Sequence, residues 1–246
     1  MKPAAKYGLI AAAVIVVLGG LGIFWFLRDA SPDEVSLDAA REAVTETTAG
    51  SDTTGAATED GDVSGTWSVD AETGEFDFDT ATGTFAGVRI AEELASIGST
   101  TAVGRTGDVA GTVEIDGTTV TAADIEVDMT TITTNDSRRD DKVQEALETG
   151  EFPTATFSLT EPVELGDGAT TGDEVSVTAT GDLTIHGVTQ QVEMPLQAQL
   201  VDGTIVVVGS LEVAFSDFGV EVPSAPIVLS VEDVGTMELQ LLLTRS

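Results

Sequence analysis

His186 is the only histidine of the chain, and the sequence contains no cysteine. A catalytic histidine dyad or a His-rich metal site needs a second histidine, while thiol catalysis, disulfides and cysteine-held metals need cysteine. His186 stands directly before Gly187, between two alternating stretches where a tight turn is expected. We interpret His186 as a turn residue, and the sequence predicts no catalytic residue, no metal ligand and no cofactor.

Carboxylates are abundant, but no spacing selects a site among them. Acids alternate with other residues in the segments 75–79 and 124–128. A calcium loop beginning at Asp77 or Asp124 needs glycine at its sixth position, where Thr82 and Met129 stand. On strands, alternating acids form a solvated outer face. A hydrolase with two acids in a cavity stays open as an alternative function.

Arg138, Arg139 and Lys142 form the only basic cluster of the predicted domain. Their neighbours Asp140 and Asp141 favour local ion pairs on a helix surface. The alternative is that Arg138 and Arg139 contact the head group of a ligand near the mouth of the domain.

The overall charge excludes one class of partner. The 246 residues include 43 acidic and 10 basic side chains, for a formal net charge of -33. Such a surface repels phosphate backbones, so nucleic-acid binding is not expected. Most of the acids fall after residue 62, on strand positions whose other face is apolar, which indicates a solubilising coat.

The sequence divides into three parts. Residues 1–28 contain an uncharged apolar stretch, Gly8–Leu27, long enough as a helix to cross the roughly 30 Å core of a bilayer. Lys2 and Lys6 precede it, which predicts a single-pass anchor with the following chain outside the cytoplasm; a cleaved signal peptide is the alternative. Residues 29–62 are interpreted as a flexible acidic linker, with a short helix over 32–45 as the other reading.

Residues 63–246 predict an all-β domain. Apolar and polar side chains alternate, as in Val175–Ile185, and Asp-Gly pairs at 116–117 and 202–203 mark hairpin turns. We expect antiparallel strands that close into a barrel. One short helix, beginning at Ser137 with a capping box to Asp140 and ending at Gly150, is expected to cover a barrel end.

Large apolar residues on the expected inward side are candidates for contact with a ligand. In a small barrel such residues either fill the interior or line a pocket for one apolar molecule, and both readings remain open at this point. The residues are Phe76, Phe78, Phe85, Phe157, Leu183, Ile185, Phe215 and Phe218.

Four segments resemble the YceI-like family of lipocalin-like, polyisoprenoid-binding domains. They occur in the family's order, and the third is the most specific. The segments are Thr66-Trp67-Ser68-Val69-Asp70, Ser137-Arg138-Arg139-Asp140 with the following stretch to Phe157, Gly181-Asp182-Leu183-Thr184-Ile185-His186-Gly187-Val188-Thr189, and Phe215-Ser216-Asp217-Phe218-Gly219-Val220.

The resemblance implies an eight-stranded antiparallel barrel whose apolar tunnel binds an isoprenoid or another long-chain amphiphile without catalysis. With the predicted anchor, it suggests a membrane-tethered extracytoplasmic protein that sequesters or transports a polyisoprenoid, quinone or similar lipid. The rival functions are the carboxylate hydrolase and a stress or adhesion module with a packed barrel. A homodimer is left open.

Overall fold

The computed structural model describes residues 31–50, 62–71, 76–80, 82–95, 98–221 and 228–246. The predicted membrane-spanning stretch Gly8–Leu27 and residues 51–61 of the predicted linker lie outside these residues. Among the residues described, none of the helices has the length and apolar character needed to cross a bilayer.

Antiparallel strands dominate the described part of the chain, with a few short helices. The α-helices are α1 (Leu37–Gly50), α2 (Ser137–Ala146) and α3 (Gly168–Thr171), and 3₁₀ turns span Met129–Thr131 and Phe215–Phe218. The strands are β1 (Gly65–Val69), β2 (Phe85–Leu94), β3 (Gly98–Thr106), β4 (Val109–Asp116), β5 (Thr119–Asp128), β6 (Thr133–Thr134), β7 (Thr154–Leu159), β8 (Val163–Glu164), β9 (Val175–Ile185), β10 (Val188–Val201), β11 (Thr204–Ala214), β12 (Val228–Val231) and β13 (Val234–Arg245).

Eight of these strands form a closed antiparallel ring, as expected. Its order is β1, β4, β5, β7, β9, β10, β11 and β13, and β13 pairs back with β1 through Val69 opposite Leu243. The same edge of β13 also pairs with β2, from which β3, β6 and β12 extend, while β8 pairs with β5. Closure leaves the ring without a free edge.

Side-chain alternation decides which residues face the interior. On β9 the buried positions include Val175, Ala179 and Leu183, whereas Ser176 and Thr178 are exposed. The predicted two-residue period therefore holds, and it places a mainly aliphatic set of side chains inside the ring.

The N-cap of helix α2 lies one residue earlier than the predicted capping box implies. Asp136 is the N-cap, and its carboxylate accepts a hydrogen bond from the backbone N–H of Arg138. Asp140 instead accepts bonds from the N–H and hydroxyl of Thr134, at 2.8 and 2.7 Å. The capping-box prediction for Ser137 is wrong because these two aspartates hold the loop before the helix.

The segment expected to be a flexible linker contains the ordered helix α1. Leu37, Ala40 and Val44 form an apolar stripe at helical spacing, and all three are buried. They pack on the outer face of the barrel against Val206, Val208 and Leu242. The flexible-linker prediction is therefore wrong for this part of the chain, since the barrel wall supplies the apolar partner that an isolated helix lacks.

Residues Pro32–Val35, here called the N-terminal strap, bind a buried charge cluster on the same outer wall. Arg89 and Arg105 donate to the Glu238 carboxylate at 2.7 and 3.2 Å. Both guanidinium groups also donate to strap carbonyls, and the Val35 N–H donates to Glu238 at 3.2 Å. Burial lowers the pKa of Arg105, while its hydrogen bond and its ion pair with Glu238 act to raise that pKa.

Docking of α1 can be tested with adjacent alanines. Ala40→Glu places a carboxylate in the buried contact, and we expect it to lower the free energy of unfolding by about 2 kcal/mol. Urea denaturation measures this change, and amide hydrogen exchange across α1 shows whether the helix detaches. Ala39→Glu is the control because Ala39 is exposed; equal effects of the two variants would contradict the docked helix.

Candidate functional site

An apolar cavity of about 190 Å³ lies inside the barrel. It is lined by inward side chains of the ring strands, among them Val113, Ile125, Val177 and Leu241. Two acids and no basic residue occur among the lining residues described. The cavity therefore suits an uncharged apolar group and provides no cation to neutralise an anion.

The acids at the cavity do not form a catalytic pair. Asp173 is exposed, whereas the Glu238 carboxylate is held on the outer face by Arg89 and Arg105. The described residues also contain no cluster of three or more metal-ligating side chains. A carboxylate hydrolase needs two acids facing one substrate, and this geometry does not supply them.

One end of the cavity reaches the surface beside α3. The exposed residue Asp173 lines the cavity there, and Ala169 of α3 is buried over the same end. Gln199 joins this end to helix α1, because its amide donates to the carbonyl of Gly172 at 2.9 Å and accepts from Arg41 at 3.2 Å. We call this end the mouth.

The opposite end of the barrel is filled by side chains. Leu183, Val213, Phe218 and Val220 form a buried cluster, against which Leu147 at the end of α2 packs. Phe157 and Leu183 belong both to this cluster and to the cavity lining. Both side chains therefore contact the open cavity and the packed end.

His186 holds chain segments together at the packed end, in agreement with its interpretation as a turn residue. Its ring nitrogens bond to the carbonyl of Phe218 at 3.3 Å and to the Glu148 carboxylate at 3.1 Å. Its ring also meets that of Phe152 edge-on, with centroids 4.8 Å apart. His186 thereby joins the β9–β10 turn to the segments that follow α2 and β11.

Among the predicted tunnel residues, Phe157 and Leu183 line the cavity. Ile185, Phe215 and Phe218 lie beyond it in the packed end. These three residues belong to the packed cluster and are not among the residues that line the cavity, so their role as ligand contacts stays a prediction.

The predicted tunnel contacts Phe76, Phe78 and Phe85 are not among the residues that line the cavity. Phe85 pairs with outward Gln240, while its neighbour Ala86 lines the cavity. The Phe85 ring lies beneath the Arg105 guanidinium, 4.7 Å from it, and 6.2 Å from the ring of Phe76. Phe85 is buried although it faces outward, since this outer wall is itself covered.

The loop before β2 also covers this wall, since the carbonyl of Phe78 accepts from Arg105 at 3.2 Å. The buried cluster of Arg89, Arg105 and Glu238 was missed in the sequence. A usable signal was the presence of two arginines within the apolar stretches 85–90 and 101–106 of a very acidic chain.

The two candidate head-group residues are engaged with carboxylates away from the cavity lining. Arg138 is 85% exposed and pairs with Asp136 at 2.8 Å, which lowers the pKa of Asp136 through their hydrogen bond. Arg139 pairs with Glu92, a carboxylate that is only 5% exposed. Local pairing, the first of the two readings from the sequence, describes both residues.

These features define a closed antiparallel barrel with an apolar cavity in its interior. The family model of the YceI-like domain matches residues 67–243, and the chain belongs to that family. Members of this family are generally non-catalytic binding domains. No curated protein matches the chain in the comparison.

Solved structures are similar to this chain at low sequence identity. A polyisoprenoid-binding domain from Saccharophagus degradans, implicated in plant cell wall breakdown, is 15% identical with a TM-score of 0.50, and the match covers 66% of this chain and 98% of that one. Burkholderia cenocepacia BcnA is 20% identical with a TM-score of 0.49, over 64% and 95% of the two chains. The Campylobacter jejuni YceI protein is 19% identical with a TM-score of 0.46, over 56% and 82%.

The two arginines give a test of local pairing. Arg139→Gln removes the ion pair between Arg139 and the buried Glu92 carboxylate, and we expect it to lower the free energy of unfolding by about 2 kcal/mol. Arg138→Gln is expected to leave the free energy of unfolding nearly unchanged because Arg138 is exposed to solvent. It should, however, raise the pKa of Asp136 toward the ordinary value, which an NMR titration measures. A larger loss of stability in Arg138→Gln would contradict this assignment.

Gly181 gives a test of how Phe157 is seated. A methyl group at Gly181 would lie 2.4 Å from Cζ of Phe157 and 2.6 Å from the carbonyl of Ser158. We expect Gly181→Ala to lower the free energy of unfolding by about 2 kcal/mol through overpacking, measured in urea. Gly150→Ala is the control because no atom lies within 4 Å of the added methyl group. An unchanged stability in Gly181→Ala would show that the ring lies elsewhere.

Proposed function

We propose that the barrel binds the apolar part of an isoprenoid or a similar amphiphilic lipid in its cavity, for sequestration or transport and without catalysis. The apolar cavity carries this proposal. Each methylene group moved from water into such a lining contributes about 0.8 kcal/mol. The polyisoprenoid-binding domain of Saccharophagus degradans, which shares the fold, supports the isoprenoid class.

The charge distribution favours a ligand without an anionic group in the cavity. The described lining offers no basic residue, and Asp173 stands at the mouth. A phosphate moved into this interior would lose its hydration with no cation to compensate it. The proposed ligand is therefore neutral where it enters the barrel.

The proposal includes the membrane tether expected from the sequence. The apolar stretch Gly8–Leu27 would anchor the chain, with the barrel outside the cytoplasm. The N-terminal strap begins only a few residues after this stretch and is bound to the barrel wall. Such an arrangement would keep the cavity near the bilayer that supplies its ligand.

The alternative function, a stress or adhesion module with a solidly packed barrel, agrees less well with the structure. A cavity of about 190 Å³ exceeds the volume of roughly 150 Å³ that holds one benzene molecule in an engineered protein cavity. A barrel interior evolved only for stability would be expected to fill such a space.

Two adjacent alanines of β5 test whether the cavity binds an apolar chain. Ala123 lines the cavity, whereas Ala122 lies opposite the exposed Glu114 on the outer face. Ala123→Phe should fill the cavity and abolish binding of geraniol, a neutral ten-carbon isoprenoid alcohol, and Ala122→Phe should leave it unchanged.

The measurement is methyl NMR of the full chain in phosphatidylcholine nanodiscs. Saturable shifts of the Ala155 and Ala179 methyl signals report binding, because both residues line the cavity. Shifts in the wild type and in Ala122→Phe, but not in Ala123→Phe, are the expected result. Absence of shifts in the wild type, or equal shifts in both variants, would refute the proposed function.

A further inference from the structure

The hydrogen bonds that join β7 to β9 cover only part of the barrel wall. The ladder pairs residues 156–159 with residues 181–184, and the backbone N–H of Thr160 donates to the carbonyl of Thr180 at 3.0 Å. Among the residues described, no backbone hydrogen bond joins β8 or the segment that carries α3 to residues 175–179 of β9. Side chains cover this part of the wall instead.

The side chains that cover this part of the wall also line the cavity. Val163 of β8 and Ala179 of β9 belong to one buried cluster, and Leu165 packs against it. All three residues line the cavity, as do Ala169 of α3 and Val175 of β9. Opening the wall here separates side chains only, whereas opening it between β9 and β10 would break a long ladder.

Residues 166–172, here called the flap, carry α3 over this end of the cavity. Within the flap, Ala169 alone is buried. Gly166 and Gly172 at its two ends have φ of 74° and 75°, a left-handed conformation that glycine adopts without strain. Space is open around both, since a methyl group added at Gly166 would meet no atom within 4 Å and one at Gly172 only the Leu200 carbonyl at 3.9 Å. The two glycines are therefore positions where the backbone can turn as hinges.

One side-chain hydrogen bond holds the flap from the outer face of the barrel. Gln199 has the outward parity of β10, since its neighbours Ala198 and Leu200 follow the inward one and line the cavity. The Gln199 amide donates to the carbonyl of Gly172 at 2.9 Å, and its oxygen accepts from Arg41 of α1 at 3.2 Å. Helix α1 is thus connected to a hinge of the flap by two consecutive hydrogen bonds.

The N-terminal strap and the barrel wall hold α1 in the position that makes this connection. Ala40 is buried against the wall, and the strap carbonyls accept hydrogen bonds from Arg89 and Arg105. Both the strap and α1 precede residues 67–243, which the family model matches. The connection to the flap is therefore made by a segment outside the matched domain.

We propose that the flap is the entrance through which a ligand reaches the cavity, and that docked α1 keeps it closed through Arg41 and Gln199. This inference rests on the proposed function, since it concerns regulation of the same cavity. A flap that closes equally over the empty and the occupied cavity changes the rates of binding and release by the same factor, and it leaves the affinity unchanged. That kinetic pattern distinguishes an entrance from a contact with the ligand.

A reversible cross-link tests the flap. A carbon added at Gly168 as Cβ lies 3.7 Å from Cβ of Asp173, which matches the separation of about 3.8 Å in disulfides. Because the chain has no cysteine, Gly168→Cys combined with Asp173→Cys can form only this bond within one molecule. The disulfide would join α3 to the residue directly beyond the hinge at Gly172 and so prevent that hinge from opening.

The measurement uses the full chain in phosphatidylcholine nanodiscs with geraniol as the ligand. Exchange between the free and bound methyl signals of Ala155 and Ala179 gives the dissociation rate constant, and their occupancy at a measured free geraniol concentration gives the affinity. We expect the oxidised double variant to release geraniol about tenfold more slowly than the same protein after reduction. The two forms should differ in affinity by less than about twofold.

The bond that holds the flap is tested by a pair of glutamines on β10. Gln199→Ala removes the bond to Gly172, and we expect the association and dissociation rate constants both to rise about fivefold, the factor expected for loss of one hydrogen bond. Gln197→Ala is the matched control, because the Gln197 amide bonds to the Glu174 carboxylate, outside the flap, also at 2.9 Å. It should leave both rate constants at their wild-type values.

Control by α1 is tested with the two alanine variants used for its docking. Ala40→Glu undocks the helix and should accelerate exchange to the same extent as Gln199→Ala, whereas Ala39→Glu should not change it. Ala40→Glu combined with Gln199→Ala should exchange no faster than Gln199→Ala alone, because both substitutions break one connection.

The outcomes separate this inference from the proposed function. If geraniol does not shift the methyl signals of the wild type, the proposed function fails. If geraniol binds but the oxidised and reduced forms of the double variant exchange at the same rate, the flap is not the entrance. Wild-type rates in Gln199→Ala or in Ala40→Glu, or rates equal to those of their controls, would refute control by α1. A changed affinity with unchanged rates of association in Gln199→Ala would make Gln199 a ligand contact and overturn its role in closure.

Discussion

The closed hydrogen-bonded ring requires every strand residue to face either the interior or the outer wall, and the rest of the structure follows from that division. Strand β13 shows it most clearly, because Leu239 and Leu241 point into the cavity while Glu238 and Gln240 point outward. Since both edges of this strand are paired, it cannot shift by one residue without exchanging its two faces. Ring closure and the alternation of side chains along each strand together position the apolar cavity.

The outer wall beside β13 forms a second buried region with different chemistry. Two arginines there share the Glu238 carboxylate, and each donates one further hydrogen-bonding group to backbone carbonyls of the N-terminal strap. Buried charges are costly unless they are paired and hydrogen-bonded. The strap therefore satisfies a cluster formed by the barrel and also brings α1 over Val206 and Leu242. In this way a segment outside the matched family region becomes part of the folded domain.

The interior is divided along the barrel axis. The mouth end has small and branched aliphatic side chains around an open space, while the other end contains phenylalanines held by the His186 contacts. A uniformly open tunnel would suit a long isoprenoid chain, and a uniformly filled barrel would bind no ligand. The observed interior combines an open apolar cavity with a packed cluster, and Phe157 contacts both.

Much of the architecture was predictable from local patterns. Two-residue alternation identified the β domain, Asp-Gly turns indicated antiparallel pairing, and the family resemblance supplied the number of ring strands. Phe157 and Leu183 could be assigned to the inward face because their neighbours along the strand are polar on both sides, and both residues line the cavity. In Phe85–Ile90, by contrast, both alternating sets contain apolar residues, so parity alone could not decide which set faces inward.

The sequence by itself determined the β class, the turn role of His186, the acidic exterior and the absence of chemistry that depends on cysteine or paired histidines. These properties depend on residue type and on short-range spacing. Only the tertiary structure decided that α1 docks on the barrel, that Arg89 and Arg105 share Glu238, and that an open cavity and a packed cluster divide the interior. Each of these features joins residues distant in the chain, and their contacts arise only when ring closure brings the strands together.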